Sequence, residues 1–289
     1  MLKKLIMSLI GFVVTIVLVV GGTILFVNAK YGINMIDVAK SLKKLGTYDV
    51  ATIVPKAPEE ADYPVAMSTI NSSLAGLISY NSEEDKYTFN TELSGTMSED
   101  MRLTDKQVCI LLNWMIDSQE DGLKVNIGGS DVNLKDYDFK LAQVALTAAE
   151  GNAVNFNIVM SLSLKPLKDK MGSFPFNFLK GKVPDMLYIS STVKVTKTEG
   201  TFAYNVESVS LALNDMSGEE VEKLFKLANI FMKIGEVSNF NLSLGEGFVN
   251  ALIGKSEEIK GFAYSMKGAG AVDFEFDTTG AEVYFVVKK

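Results

Sequence analysis

The chain has 289 residues, of which 47% are apolar and 22% are charged, a composition typical of a folded protein rather than a disordered one. It contains no histidine and a single cysteine, Cys109, which excludes Ser-His-Asp or Cys-His catalysis and an intramolecular disulfide. The net charge is −7 and Arg102 is the only arginine, so we expect no nucleic-acid partner.

A run of 23 uncharged residues, Leu5–Val27, follows two lysines at the N-terminus. As a helix with a rise of ~1.5 Å per residue it would be about 34 Å long, enough to cross the ~30 Å hydrocarbon core of a membrane. A cleaved signal peptide is the alternative, because small residues at Val27-Asn28-Ala29 would suit a cleavage site. Signal peptides normally have a shorter apolar region of ~7–15 residues, which favours an uncleaved anchor.

The sequence thus predicts a single-pass protein of the cell membrane. Residues 1–4 form a short basic tail without acids, which favours a cytoplasmic N-terminus and a main domain outside the cytoplasm. The anchor would occupy residues 5–27. Residues 28–64 are expected to hold a short helix, Met35–Leu45, followed by a stalk or linker rich in proline and acids. One β-rich domain is expected over residues 65–289.

The strongest local signal within the domain is a helix start at Thr104. Gln107 stands three residues later, so each side chain can cap the backbone amide of the other residue, the pattern called a capping box. Leu103 and Val108 form the apolar pair that accompanies such a start. The helix is expected to run to about Asp117 with apolar residues over a wide arc.

Long strands follow this helix. Residues 139–148 and 153–164 predict a hairpin, and the second of them alternates apolar with small or polar residues along its length. A second hairpin is predicted from residues 186–197 and 201–213. The apolar parity shifts in its return strand, which predicts a β-bulge near Glu207-Ser208.

Two more helices and a final hairpin complete the prediction. The helices are expected from Ser217 to Gly235 and over residues 246–259, and the hairpin pairs residues 272–277 with 282–288. The expected fold class is α+β: an N-terminal transmembrane helix, then a long curved antiparallel sheet packed on or wrapping two to three helices.

The sequence holds no motif for catalysis, a cofactor or a metal ion. Its acidic pairs, such as Glu219/Glu220 and Glu257/Glu258, fall at turns, linkers and helix starts, where solvation and the helix dipole favour acids. Hydrolysis by two carboxylates alone is the one enzymatic route left open. We therefore expect a non-enzyme without cofactor or metal.

Wide apolar faces on strands and helices suggest instead an elongated groove for a lipid or another apolar ligand. The alternative is a structural or interaction module with a solid core and an envelope protein as partner. The residues expected to line such a groove are Leu111, Trp114, Met115, Phe156, Ile158, Met160, Leu162, Ile189, Val193, Val195, Leu224 and Phe225.

The segments Leu103–Leu112 and Val206–Leu211, together with the order helix, paired long strands, helix, carry a family resemblance. The chain resembles the YpmS-type membrane-anchored proteins of Gram-positive bacteria and is similar in outline, over about residues 86–287, to tubular lipid-binding (TULIP-like) domains. The resemblance implies a long sheet wrapped around a helix and an apolar tunnel, and lipid handling in the cell envelope. It implies no catalytic residues.

Overall fold

The computed structural model describes residues 40, 43–90, 95–118, 124–127, 130–170, 183–229 and 235–289. The predicted membrane anchor, residues 5–27, lies outside these ranges. Among the helices that fall within them, none combines the length and the apolar character needed to cross a bilayer.

The described residues form an α+β structure. The strands are β1 Ile78–Asn81, β2 Lys86–Phe89, β3 Met101–Leu103, β4 Lys124–Ile127, β5 Ser130–Asn133, β6 Lys140–Ala148, β7 Ala153–Ser163, β8 Met186–Lys197, β9 Tyr204–Leu213, β10 Met216–Ser217, β11 Asp273–Asp277 and β12 Tyr284–Lys288. The helices are α1 Val50–Ile53, α2 Asp62–Ser73, α3 Asp105–Asp117, α4 Lys165–Lys170, α5 Glu219–Asn229, α6 Val237–Leu252 and α7 Phe262–Ser265.

A five-stranded antiparallel sheet is the centre of the fold, with the strand order β10-β9-β8-β7-β6. One of its faces, the core face, carries the apolar side chains of β7 and β8 and packs against α3 and α6. A smaller sheet, β11-β12-β3, lies on the same core, and two hairpins, β1-β2 and β4-β5, complete the strand pairing.

Helix α6 approaches the core face more closely than an ordinary helix could. A Cβ atom on Gly245 would lie 2.1 Å from Cγ1 and 2.9 Å from Cβ of Val193 on β8. Only glycine allows this contact, because any other side chain would overlap the stiff, β-branched valine. The space between α6 and the centre of the sheet is therefore filled by the backbone of the helix itself.

The other face of the sheet is contacted by residues 43–57, which the sequence predicted as the end of a short helix and the start of a stalk or linker. Leu45 is 3% exposed, and its carbonyl oxygen accepts a hydrogen bond of 2.6 Å from the side chain of Asn214. The ring of Tyr48 packs edge-on against Tyr188 of β8 with 5.7 Å between centroids. At the far side, the backbone N–H of Lys56 donates to Oε1 of Gln143 on β6 at 2.6 Å.

This segment, which we call the strap, crosses the sheet from the end of β9 to β6. The expectation of a free stalk up to residue 64 is corrected: among the described residues, the folded unit already includes the chain from Lys43 onward. The prolines and acids of this region are typical of a linker. The strap nevertheless packs on the sheet, because the side chains of Asn214 and Gln143 are buried there and require hydrogen-bond partners. Pro64 likewise stands in the first turn of α2, where proline is tolerated.

Several local predictions are confirmed. The capping box of Thr104 and Gln107 is present with both hydrogen bonds. All three predicted hairpins pair as expected, and a bulge lies opposite Thr192 and Val193 of β8, next to the predicted position. The last long helix differs, since it runs over Val237–Leu252 rather than residues 246–259. Its first half has many serines and asparagines, which weakened the helical pattern in the sequence.

Candidate functional site

The residues expected to line an apolar groove lie instead within the packed core. Phe156, Ile158 and Met160 of β7 face Val193, Ser191 and Ile189 of β8 across the sheet, and all six are almost fully buried. The burial extends to the remaining predicted residues, except that Met115 is only partly buried. These remaining residues are Leu111, Trp114, Leu162, Val195, Leu224 and Phe225.

Close packing leaves no room for a ligand at two of the expected lining residues, Val193 and Trp114. Val193 was expected to face a ligand, but it contacts the backbone of α6 at Gly245. Trp114 was expected to do the same, but its ring is stacked on Tyr87, 4.9 Å away, and meets Tyr63 edge-on at 6.2 Å. At these two positions, the residues that were expected to line a groove are therefore part of a solid core.

Phe225 is the exception, because it also borders a surface cleft. This cleft has a volume of about 1050 Å³ and lies between β9, α5 and the start of α6. We call it the β9 cleft. Its lining includes Ser208, Val209, Ser210 and Leu211 from β9, Glu222, Phe225 and Lys226 from α5, and Glu236, Val237 and Asn241 at the start of α6.

The cleft exists because the chain leaves the edge of the sheet early. Residues Asn214 and Asp215 make a tight turn after β9, with Asn214 in the left-handed region at φ 50°. The returning strand β10 pairs with β9 for only two residues. Gly218, at φ 55°, then turns the chain into α5 and away from the sheet.

Asn241 fixes the wall of the cleft. Its side-chain amide donates hydrogen bonds of 2.9 Å to the carbonyl oxygen of Thr192 and to Oγ of Ser208, and its Oδ1 accepts one of 2.7 Å from Oγ of Ser191. Asn241 thereby joins α6 to β8 and to β9 at the bulge. Since a buried amide needs partners for all of these groups, the bulge and the helix hold each other in place.

The interior of the cleft is apolar at its base and polar at its rim. Leu211 and Phe225 are buried, Val237 is partly exposed, and Val209 is 54% exposed. Glu222, Lys226 and Glu236 are exposed and border the same space. Among the described residues, two carboxylates against one ammonium group give the rim an acidic balance.

A second cleft of about 590 Å³ lies between the start of α3, the end of β6 and the β11-β12 turn. Four of its charged groups form ion pairs: Lys56 with Asp105 at 3.0 Å and Lys106 with Asp62 at 2.9 Å. The backbone N–H of Glu59 donates a hydrogen bond to the carboxylate of Asp62 and lowers its pKa. The hydrogen bond and the charge of Lys106 lower this pKa further, so the carboxylate stays ionised. These ion pairs tie α2 and the strap to α3 and explain the polar residues there.

Acidic and cysteine side chains in the described part of the chain form no group of three that could hold a metal ion. The Cys109 thiol is buried, and burial raises its pKa to about 12. It is therefore neither a thiolate ligand nor a nucleophile at neutral pH. Its surroundings are the carbonyl of Leu141 and the side chain of Asn113.

Most of the residues that line the β9 cleft were not predicted from the sequence. The bulge beside them and Phe225 were predicted, whereas Asn241, Glu236 and Val209 were not among the expected site residues. The predicted shift of apolar parity in β9 was the available signal, since a bulge in a strand often re-aims side chains beside a binding site.

No match was found. Comparison with protein-family models, with curated proteins and with solved structures gave no protein to which this chain is similar. Functional inference therefore rests on the geometry of the chain itself.

Proposed function

We propose that this protein is a membrane-anchored, non-catalytic interaction module of the cell envelope that holds an extended segment of another envelope protein in the β9 cleft. The observation that carries the proposal is an open cleft of about 1050 Å³ with an apolar base and a polar rim, beside a core that is packed at Val193 and Trp114. Apolar anchor sites with a polar, hydrated rim are the usual anatomy of protein interfaces.

The tether supports a site close to the membrane. Only 16 residues separate the end of the predicted anchor at Val27 from Lys44, and a chain of that length spans at most about 60 Å. Nζ of Lys44 lies 2.7 Å from a carboxylate oxygen of Glu220, in the first turn of α5. The tether therefore meets the folded unit on the helix that lines the cleft, so the partner would be captured near the membrane surface.

The exposure of the acids that border the cleft supports a non-catalytic role. Glu222 and Glu236 are the two carboxylates that border the cleft, and both are exposed. A carboxyl group that acts as a general acid has to be shielded from water so that it keeps its proton near neutral pH. The chain has no histidine and its one cysteine, Cys109, is buried, so neither type of side chain can act in the cleft.

The orientation is tested with a reporter fused after Lys289 in living cells. An enzyme that is active only outside the cytoplasm should be active in this fusion, and one that is active only inside should not. The N-terminus of the membrane-bound protein should also be retained. A soluble form that begins at Lys30 would contradict the anchor and point to a cleaved signal peptide.

The site is tested by placing a photoreactive benzophenone amino acid at Val209 in the full chain and irradiating living cells. The matched control position is Val272, which is similarly exposed, at 57%, but does not border the cleft. We expect a polypeptide adduct at Val209 and at least tenfold less of it at Val272. Equal adducts at both positions, or none at Val209, would contradict the proposal.

A lipid acyl chain is the second candidate for the same cleft. Leu211, Phe225 and Val237 give it an apolar base, and the cleft lies on the tether side of the domain. The same irradiation distinguishes the two candidates by mass. An adduct that adds the mass of one lipid, recovered by extraction with organic solvent, would favour the lipid and remove the polypeptide from the proposal.

A further inference from the structure

One edge of the central sheet is unpaired within the β9 cleft. Strand β9 pairs with β8 over its whole length, whereas its outer edge pairs with β10 only at Leu213 and Ala212. No other described strand lies beside the outer edge from Tyr204 to Leu211. Four successive residues of this edge, Ser208 to Leu211, border the cleft, as expected where a strand presents its edge rather than one face.

The register shows which backbone groups point into the cleft. The N–H of Asn214 donates to the carbonyl of Tyr188 at 2.7 Å, so Asn214 faces the β8 side and Leu213 faces β10. Alternate residues of an antiparallel strand face the same edge, which places the N–H and C=O of Leu211 on the open side. Val209 stands in the bulge and has no residue opposite it on β8.

The opposite edge of the sheet is blocked at Leu141. On β6 the side chain of Asn113 donates to the carbonyl of Leu141 and accepts from its N–H, each at 2.9 Å. Proteins commonly block strand edges in this way, because an open edge pairs with other chains. The open edge at Val209 and Leu211 thus contrasts with a blocked edge in the same sheet.

We propose that the β9 cleft binds its partner by strand addition: an extended polypeptide strand pairs with the outer edge of β9 and continues the ladder that β10 begins. The inference rests on the proposed function and deepens it, since it names the backbone pairing and the chemistry of the bound segment. Main-chain hydrogen bonds to Leu211 and Val209 provide affinity, and the side chains of the added strand provide specificity.

The surroundings define the sequence of the bound strand. Side chains on its helix side meet Phe225 and Val237, so alternate residues are apolar. The rim carries Glu222 and Glu236 against Lys226, so a lysine or arginine in the strand complements the acidic balance. The partner is therefore an extended segment with alternating apolar residues and at least one basic residue, located near the outer surface of the membrane.

The test uses the full chain in living cells with the benzophenone residue at Lys226, on the α5 side of the cleft. Val209→Pro removes the backbone N–H at the bulge, where proline is tolerated in a strand edge, and Val209→Thr keeps that N–H and changes the side chain as a matched control. We expect Val209→Pro to lower the yield of polypeptide adduct at least tenfold, and Val209→Thr to keep it within twofold. Glu222→Gln together with Glu236→Gln should also lower the yield, and more strongly at low salt.

Folding of each variant is checked independently by the reactivity of the buried Cys109 thiol, which stays unmodified in a folded chain. If Val209→Pro is folded and gives the same adduct yield as the parent, strand addition is wrong, while capture in the cleft stands. If no polypeptide adduct forms at Lys226 or Val209 in the parent, the proposed function fails and strand addition with it. An adduct of twice the mass of the chain would show that a second copy of this chain occupies the cleft, and it would contradict the proposal of a different protein as partner.

Discussion

At the scale of single residues, Cys109 reports on the folded state. Burial raises its pKa to about 12, so the thiolate that reacts with alkylating reagents is almost absent at neutral pH. We expect a maleimide to modify the chain at pH 8 only as fast as the domain unfolds. The measurement is the modification rate with increasing urea, followed by mass spectrometry; rapid modification without denaturant would contradict a buried thiol.

The Cys109 thiol also makes the stability of the domain depend on pH. A folded pKa of about 12 lies above the ordinary value of 9.0, so the proton is held more tightly in the folded chain. Its contribution to stability is complete below about pH 9 and is lost as the pH rises from 9 towards 12. Cys109→Ala should therefore show a smaller loss of stability over this range than the parent, measured by thermal melts at each pH.

Gly245 tests the close contact between helix and sheet. In an ordinary helix Gly→Ala stabilises by about 1 kcal/mol, but here the added methyl group overlaps Val193 at 2.1 Å. We expect Gly245→Ala to lower the free energy of unfolding by about 1–3 kcal/mol, the usual cost of overpacking a core. Adding Val193→Ala should recover part of the loss. A stabilised Gly245→Ala variant would show that space exists where the structure has none.

At the scale of elements, Asn241 connects α6 to two strands. Asn241→Leu keeps the approximate size of the side chain but leaves Oγ of Ser191 and the bulge at Ser208 without their partner. Each buried polar group without a partner costs about 1–3 kcal/mol, so urea denaturation should show a loss of that size or more. The control is Asn205→Leu on the exposed side of β9, which should change stability by no more than about 0.5 kcal/mol.

The Asn241→Leu variant also tests whether the bulge in β9 matters for binding in the cleft. If the bulge positions the cleft wall, Asn241→Leu should lower adduct formation at Lys226 as well as stability. Ser191→Ala added to Asn241→Leu should restore part of the stability, because it removes one of the abandoned polar groups. An unchanged stability in Asn241→Leu would contradict the bridging role.

At the scale of the whole molecule, the strap is part of the folded unit. A fragment of residues 58–289 lacks the strap but keeps α2, and a fragment of residues 43–289 keeps both. Loss of the buried Leu45, worth about 2 kcal/mol, and of the hydrogen bonds to Asn214 and Gln143, worth about 1 kcal/mol each, should make the shorter fragment less stable by at least about 3 kcal/mol. Equal denaturation midpoints for the two fragments would show that the strap is a free stalk.

Much of this fold could be predicted from the sequence, because its signals are local. The capping box at Thr104 needs only residues three apart, and the β6-β7 and β8-β9 pairings follow from alternation along each predicted hairpin. The parity shift in β9 likewise marks its bulge. For the same reason the composition alone argues against histidine or disulfide chemistry, and the uncharged run Leu5–Val27 predicts a membrane anchor.

Tertiary structure decided whether the apolar faces enclose a ligand. Periodicity tells which face of a strand is buried but not what covers it, and the same pattern at Phe156, Ile158 and Val193 suits a tunnel or a solid core. The choice depended on Gly245, 52 residues beyond Val193 in the chain, which lets a helix backbone fill the space. The cleft depended equally on distant parts: two left-handed turns at Asn214 and Gly218 open the edge of β9, and Asn241 on another element holds it.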